Sequence, residues 1–471
     1  METNYDINIG YLQNTIKNEE KLEKNEKFTK KETDKYISKL VEYDFFVKNE
    51  IEVSKILNNN TEHNDNDERH CFLTIQKWDF VKLCESNKQI LEKVNIQLNS
   101  QKKIVLLKYK NVNMIVDEFT NFINSFFFHN LINNTSIFPE NPRTSQIFWN
   151  FIRIYEDLLD DLSYLNKKGI QFIDFSSKNL CFNKEFYVYF TNFEKCLIKQ
   201  KFHILDSYIA NISNIDNNVT GDNELVDLQH YYSGSANTLQ NIAKYVKIEN
   251  YVDKFIKIME KIDYYGNKHF DLYFFKQLIK TKNFHDVFKN LDPIIDNYFH
   301  ELYFMKGFSD KFKKDVFKKW KIQIKINIEK NIRFLNIDVE KISWKMYLFL
   351  ILERRLDLGW EIFSLNSLFM NITYYMLKIF DIDDKSSVVH RYFKYLFTNM
   401  DINSCLFYEN NNMNNYNDII NNCLGNYNKF RGSFEISKDF DDATGFYCFS
   451  HVTNESHREL YELLLKIVET F

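Results

Sequence analysis

The chain has 471 residues, 44% of them hydrophobic and 17% aromatic, with a formal charge of −4 and a pI near 6.3. That is enough apolar material to bury a sizeable core in two or three domains or in one large two-lobed unit, so the chain should be globular. A balance this close to neutral gives no reason to expect nucleic acid or an anionic membrane as the main partner. Glycine (10) and proline (3) are scarce, whereas Asn, Lys, Ile, Phe and Tyr, the residues of A/T-rich codons, crowd the sequence. Single Asn or Lys residues therefore carry little information. The seven cysteines form no C-x-x-C pair and are odd in number, which fits reduced thiols in a cytoplasmic setting. METNYDINIG lacks an apolar signal core, and apolar runs such as Tyr347–Leu352 are too short to span a bilayer, so a soluble protein with no transmembrane segment is expected.

In chain order, residues 1–35 read as a charged N-terminal arm rich in Lys, Glu and Asn. Tyr36–Val41 alternates like a strand. Asp44–Leu57 follows as a helix with Phe46, Val47, Ile51, Ser54 and Ile56/Leu57 on one side. After a polar loop at Asn58–His70, Cys71–Phe80 and Ile104–Tyr109 are strand-like, with a helix between them from Val81 to Leu98. Met114–Phe119 is an apolar run ending in acidic and aromatic residues. Ser145–Lys168 carries the strongest helical periodicity: Phe148, Phe151/Ile152, Tyr155, Leu158/Leu159, Leu162 and Leu165 recur at helical spacing, and Gly169 caps the end.

The next stretch, Gly169–Glu194, predicts polar turn, strand, turn, strand, polar turn, with the strands at Asn179–Phe182 and Phe186–Thr191. Asp174 precedes Asn179 by five residues, and Asn192-Phe193-Glu194 follows thirteen residues later. Beyond it, Ala236–Ile262, Leu272–Leu291 and Asp310–Leu335 read as helices, with a polar loop at Ser213–Asn223. Trp360–Leu377 reads as a buried helix, Asp401–Asp442 as loop, and Ser456-x-x-Glu459 as a capping box opening a final helix. No internal repeat is evident.

The frame around Asp174 resembles the catalytic and metal-binding loops of the protein kinase superfamily, His-Arg-Asp-x-x-x-x-Asn, a hairpin and then Asp-Phe-Gly. Gln171-Phe172-Ile173-Asp174-x-x-x-x-Asn179 occupies the first motif and Asn192-Phe193-Glu194 the second, with both spacings kept. The resemblance implies an α+β, bilobal protein-kinase-like fold with a mostly helical C-lobe. The N-lobe would be residues 36–115 and the C-lobe 116–471, with a helical insertion at about 200–355. It implies that Asp174 is the catalytic carboxylate and Asn179 a magnesium ligand, with Asn192 at the second metal position. Lys39 would take the phosphate-binding position, Glu50 its ion-pair partner, and Glu118 the nucleotide hinge; ATP and Mg are the implied cofactors.

Several positions depart from the family. The ten glycines are never closer than seven apart, so no G-x-G-x-x-G exists to cover phosphates. Asn192 offers a neutral oxygen where hydrated magnesium wants an anionic one, and Phe172 replaces the arginine that senses a phosphorylated loop. Gln171 replaces the bracing histidine. Glu361 stands where the buried helix has aspartate, and about 160 residues separate it from Glu194; a competing register puts that helix at Asp227–Val246. No H-E-x-x-H or G-x-S-x-G motif offers another site, and His129 and His390 read as packing or surface residues.

These departures predict turnover lowered by several powers of ten. The expectation is a catalytically impaired pseudokinase with a binding, scaffolding or virion-structural role. Its partners would be other proteins, virion components among them, in a cytoplasmic or virion setting; the codon bias fits a nucleocytoplasmic large DNA virus or a protist. One alternative is an active, divergent Ser/Thr kinase using Asp174, Asn179, Lys39 and Glu194 as a substitute metal ligand. The other is a helical structural protein with no kinase relation.

Overall fold

The computed structural model describes residues 36–59, 71–81, 103–112, 114–116, 142–183, 187–200, 202, 239–262, 269–334, 343–355, 360–379, 388–400, 420, 421 and 423. The expected N-terminal arm, most of the helix expected at Val81–Leu98, Glu118, the Ser213–Asn223 loop and the final helix lie outside them. The fold is α+β with mostly helical content. The chain packs as two compact units, Met1–Phe119 with Lys178–Cys196, and Thr120–Ser177 with Leu197–Phe471.

In the first unit, β1 (Tyr36–Glu42) leads into α1 (Phe45–Asn58), followed by β2 (Ile75–Val81), β3 (Ile104–Lys110) and β4 (Met114–Val116). The first three strands form an antiparallel sheet in the order β1-β3-β2, with Lys39 opposite Leu107 and Trp78 opposite the same residue from the other side. Asp44 opens α1 by accepting hydrogen bonds from the amides of Phe46 and Val47, both at 2.9 Å, a cap contributing about 1 kcal/mol. The helix lays Val47 and Ile51 on Leu73, Ile75, Val105, Leu107 and Tyr109, and this burial of branched side chains is what holds α1 against the sheet. β6 (Leu180–Asn183) and β7 (Val188–Phe190) form a hairpin that pairs with β4 in a second sheet, ordered β4-β6-β7. The hairpin belongs to this unit because Phe72 grips it: its ring packs against Phe190 and Phe193, while the Leu73 amide donates to the Phe190 carbonyl and the Phe190 amide to the Cys71 carbonyl.

The second unit is built on two buried helices. α2 (Pro142–Lys167) buries Phe151, Ile152, Tyr155, Leu158, Leu159, Leu162 and Leu165, the expected stripe. Gly169, at φ 72°, then terminates it with its amide on the Asn166 carbonyl, the left-handed cap that glycine adopts without penalty. β5 (Ile170–Gln171) continues from the cap and pairs with β8 (Leu197–Ile198). α9 (Trp360–Ile379) is apolar nearly all round, as a helix enclosed on every side must be. Three of its polar members, Ser364, Asn366 and Thr373, each bond the carbonyl four residues back. Phe151 of α2 stacks on Phe369 of α9 with ring centroids 4.8 Å apart.

Around these two run α3 (Leu239–Lys261), α4 (Phe270–Thr281), α5 (Phe284–Lys289), α6 (Leu291–Glu301), α7 (Asp310–Phe334), α8 (Trp344–Arg355) and α10 (Val388–Met400). The helix expected over Leu272–Leu291 is broken in two: Lys282 turns left-handed at φ 53°, and Asn283 caps α5 through the Asp286 amide. The helix expected at Trp360–Leu377 is present as Trp360–Ile379 and is buried, while much of the competing segment Asp227–Val246 lies outside the described residues. Gly307 is required by close packing, because a Cβ there would stand 2.8 Å from Phe393 and 2.9 Å from Tyr374. Among the described residues no helix is long and apolar enough to cross a membrane.

Candidate functional site

α1 carries two adjacent polar residues, Asn49 and Glu50, on the side it buries. Glu50 is 3% exposed and accepts a hydrogen bond from the Tyr109 hydroxyl at 3.0 Å. Loss of water pushes its carboxyl from 4.5 up to about 7; the Lys39 ammonium opposes that shift, the Glu194 carboxylate adds to it, and the Tyr109 hydrogen bond opposes it. Burial, together with the charge of Glu50, holds the Tyr109 phenol well above its ordinary value. Lys39 and Glu50, paired in the sequence reading, thus feel one another's charge, with Glu194 as a third member of the group.

Asn49 was not singled out by the sequence. Its side-chain amide donates to the Glu194 carbonyl at 2.8 Å and to the Cys196 carbonyl at 2.7 Å. The one signal that points to it is an amide lodged between the buried Val47 and Ile51 in a helical stripe. This double bond straps the short turn Phe193–Lys195 to α1 and brings Glu194 alongside Glu50 and Tyr109.

Asn192 heads that turn in the left-handed conformation, φ 58° and ψ 56°, which Asn tolerates better than most residues. Its side-chain nitrogen donates to Asn179 Oδ1 at 3.1 Å and to the Lys178 carbonyl at 3.4 Å. The Thr191 amide bonds the Asn179 carbonyl at 2.9 Å, so the two turns at the ends of the hairpin are stitched together by backbone and side chain. The two amides that the spacing put forward as metal ligands are therefore adjacent, and the Asn179 oxygen that would face a cation accepts from Asn192. Magnesium, which prefers anionic oxygens in octahedral array, is poorly matched by this pair, and the described residues hold no group of three or more His, Cys, Asp or Glu that could bind a metal.

Asp174 belongs to the second unit, follows β5, and is 7% exposed. The chain ahead of it is held by Glu361, whose Oε1 accepts from the Phe172 amide at 3.0 Å. Burial raises the Glu361 carboxyl, with Lys199 and the Phe172 N–H acting in the opposite direction. Gln171 is fully buried beside Glu361, and its side-chain amide also acts to hold the Glu361 carboxyl down. Behind this segment the Tyr155 hydroxyl donates to Asn366 at 2.7 Å and accepts from Asn399 at 3.1 Å, tying α2, α9 and α10 together.

No protein-family model, curated protein or solved structure matches this chain. The functional reading therefore rests on the residues themselves. The structure brings Lys39, Glu50 and Glu194 into one group and Asn179 and Asn192 into another, both within the first unit; Asp174 lies in the second, and Glu118 lies outside the described residues.

Proposed function

We propose that the chain is a protein-kinase-like protein with impaired phosphoryl transfer, a pseudokinase that acts by binding and scaffolding other proteins. The observation that carries this reading is the hydrogen bond from Asn192 to Asn179 Oδ1. Where magnesium-dependent transfer needs a carboxylate and an amide oxygen directed at the metal, this chain has two amides directed at each other.

Three further features support the kinase-like frame. A strand lysine, Lys39, and a helix glutamate, Glu50, follow one another in the order that kinases use for their ion pair, and each lies within reach of the other's field. The segment bearing Asp174 and Asn179 leads into a hairpin that ends at Asn192-Phe193-Glu194. Glu361, at the head of the most buried helix, holds the backbone two residues before Asp174. A second reading, an active and divergent Ser/Thr kinase, draws on one observation: the Glu194 carboxylate acts on the Glu50–Tyr109 group and supplies a negative oxygen one position beyond Phe193.

Purified chain incubated with labelled ATP and either Mg²⁺ or Mn²⁺ tests the proposal. The expected result is transfer no greater than that of Asp174→Ala. Robust transfer that vanishes in Asp174→Ala would establish the active kinase instead.

A further inference from the structure

We propose that the outward face of α7 docks on an anionic lipid bilayer, with Ile322 and Ile326 entering the interface between flanking lysines. The inference stands apart from the kinase-like reading and rests on α7 alone. Eight lysines and Arg333 against Asp310, Asp315 and Glu329 give this helix a formal charge of +6 in a chain of −4, leaving −10 on all the rest. The near-neutral whole-chain balance hides this concentration.

The charge is arranged, not scattered. α7 buries Trp320, Ile324 and Ile328 in the core, where Trp320 stacks on Phe397. Counting about 100° per residue, Lys311, Asp315, Lys318, Ile322 and Ile326 fall on the opposite side, with Lys314 and Lys325 along one flank and Lys319 along the other, so one carboxylate stands among the lysines. Ile322 is 50% exposed and Ile326 38%, and Phe312, also 38% exposed, sits at the edge of the same face. Lys321 and Lys325 reach back to Asp296 and Asp292 of α6, and Lys313 to Asp310, so their charge is largely spent within the protein. Lys311, Lys314, Lys318 and Lys319 are exposed to solvent, Lys314 within the field of Asp310.

Together these side chains make one exposed ridge along α7. From Lys311 to Ile326 it runs about 22 Å at the α-helical rise, with apolar side chains at its crest and ammonium groups beside them. Such a ridge suits a planar array of phosphate headgroups: lysine stems lie along apolar surface and carry the charge outward, while branched carbons enter the acyl boundary. Nucleic acid would be served by the lysines but would leave the isoleucines against water or phosphate, which is why the bilayer is the occupant chosen.

The test is co-sedimentation of the full chain with phosphatidylcholine vesicles, with and without about one third phosphatidylserine. Binding is expected only to the anionic vesicles, weakening as salt shortens the screening length. Lys311, Lys314, Lys318 and Lys319→Glu together should lower it at least about tenfold. The same charge change at Lys110, Lys247, Lys280 and Lys289, all exposed elsewhere, should lower it far less. Ile322→Ser with Ile326→Ser should weaken vesicle binding with helicity unchanged by circular dichroism. Failure of the folded chain to bind anionic vesicles overturns the proposal. So does equal loss in both lysine sets, or displacement by an RNA oligomer whose own binding the isoleucine changes do not affect.

Discussion

Replacing Glu50 by Gln removes an ionisation that burial on α1 penalises while keeping an oxygen for the Tyr109 hydroxyl to bond. Below its ordinary value of 4.5 the wild-type carboxyl is protonated in folded and unfolded chains alike, and its full contribution to stability is present. Between 4.5 and about 7 the unfolded chain releases the proton and the folded chain keeps it, so stability falls as pH rises, and above about 7 the loss is complete. At about 1.4 kcal/mol per pH unit, the interval from 4.5 to about 7 corresponds to about 3 kcal/mol. Lys39, Glu194 and Tyr109 are already included in that interval, because each contributes to where the folded carboxyl titrates. Urea denaturation of both proteins across this range should show the Glu50→Gln advantage growing from near zero at low pH to about 3 kcal/mol at about pH 8. A difference that stays flat with pH, or a variant less stable at alkaline pH, would refute the account of this cluster.

Asn49→Ala strips the buried Cys196 carbonyl and the part-buried Glu194 carbonyl of their donor; a loss of about 2 kcal/mol is expected, with faster amide exchange over Phe193–Cys196 by mass spectrometry. Glu361→Ala leaves the Phe172 amide without its acceptor and opens space beside α9, at a cost of about 3 kcal/mol in a thermal melt, whereas Glu361→Gln, which keeps an acceptor oxygen, should cost clearly less. Gly307→Ala forces Phe393 and Tyr374 aside and should lower stability by about 1 to 3 kcal/mol, read in the same melt.

The periodic parts of this fold were legible in advance. α2 was evident because seven large apolar residues recur along one stripe and a glycine follows, and α9 because an almost wholly apolar run of that length has to be enclosed. β1, α1 and the hairpin strands fell where alternation and helical spacing put them. What escaped depends on contacts distant in sequence or on single polar atoms. The order β1-β3-β2 is set by packing under α1, which no local pattern records. The break at Lys282 puts the left-handed conformation on a lysine instead of the Gly or Asn that ordinarily marks one, so no local signal betrayed it. Asn49 and the Asn192–Asn179 bond were hidden for a compositional reason: in a chain crowded with asparagine, one amide facing inward looks like all the others. The hairpin's place with the first unit follows from Phe72, one ring among 45 phenylalanines.

The proposed loss of magnesium binding rests on Asn192, and Asn192→Asp supplies a carboxylate at a left-handed position where aspartate is tolerated. Calorimetric titration of ATP, with and without Mg²⁺, into wild type and variant tests the claim directly. Wild type should show no magnesium enhancement, and Asn192→Asp at least about tenfold tighter magnesium-dependent binding. Strong magnesium-dependent ATP binding by the wild-type chain, unchanged in the variant, would contradict it.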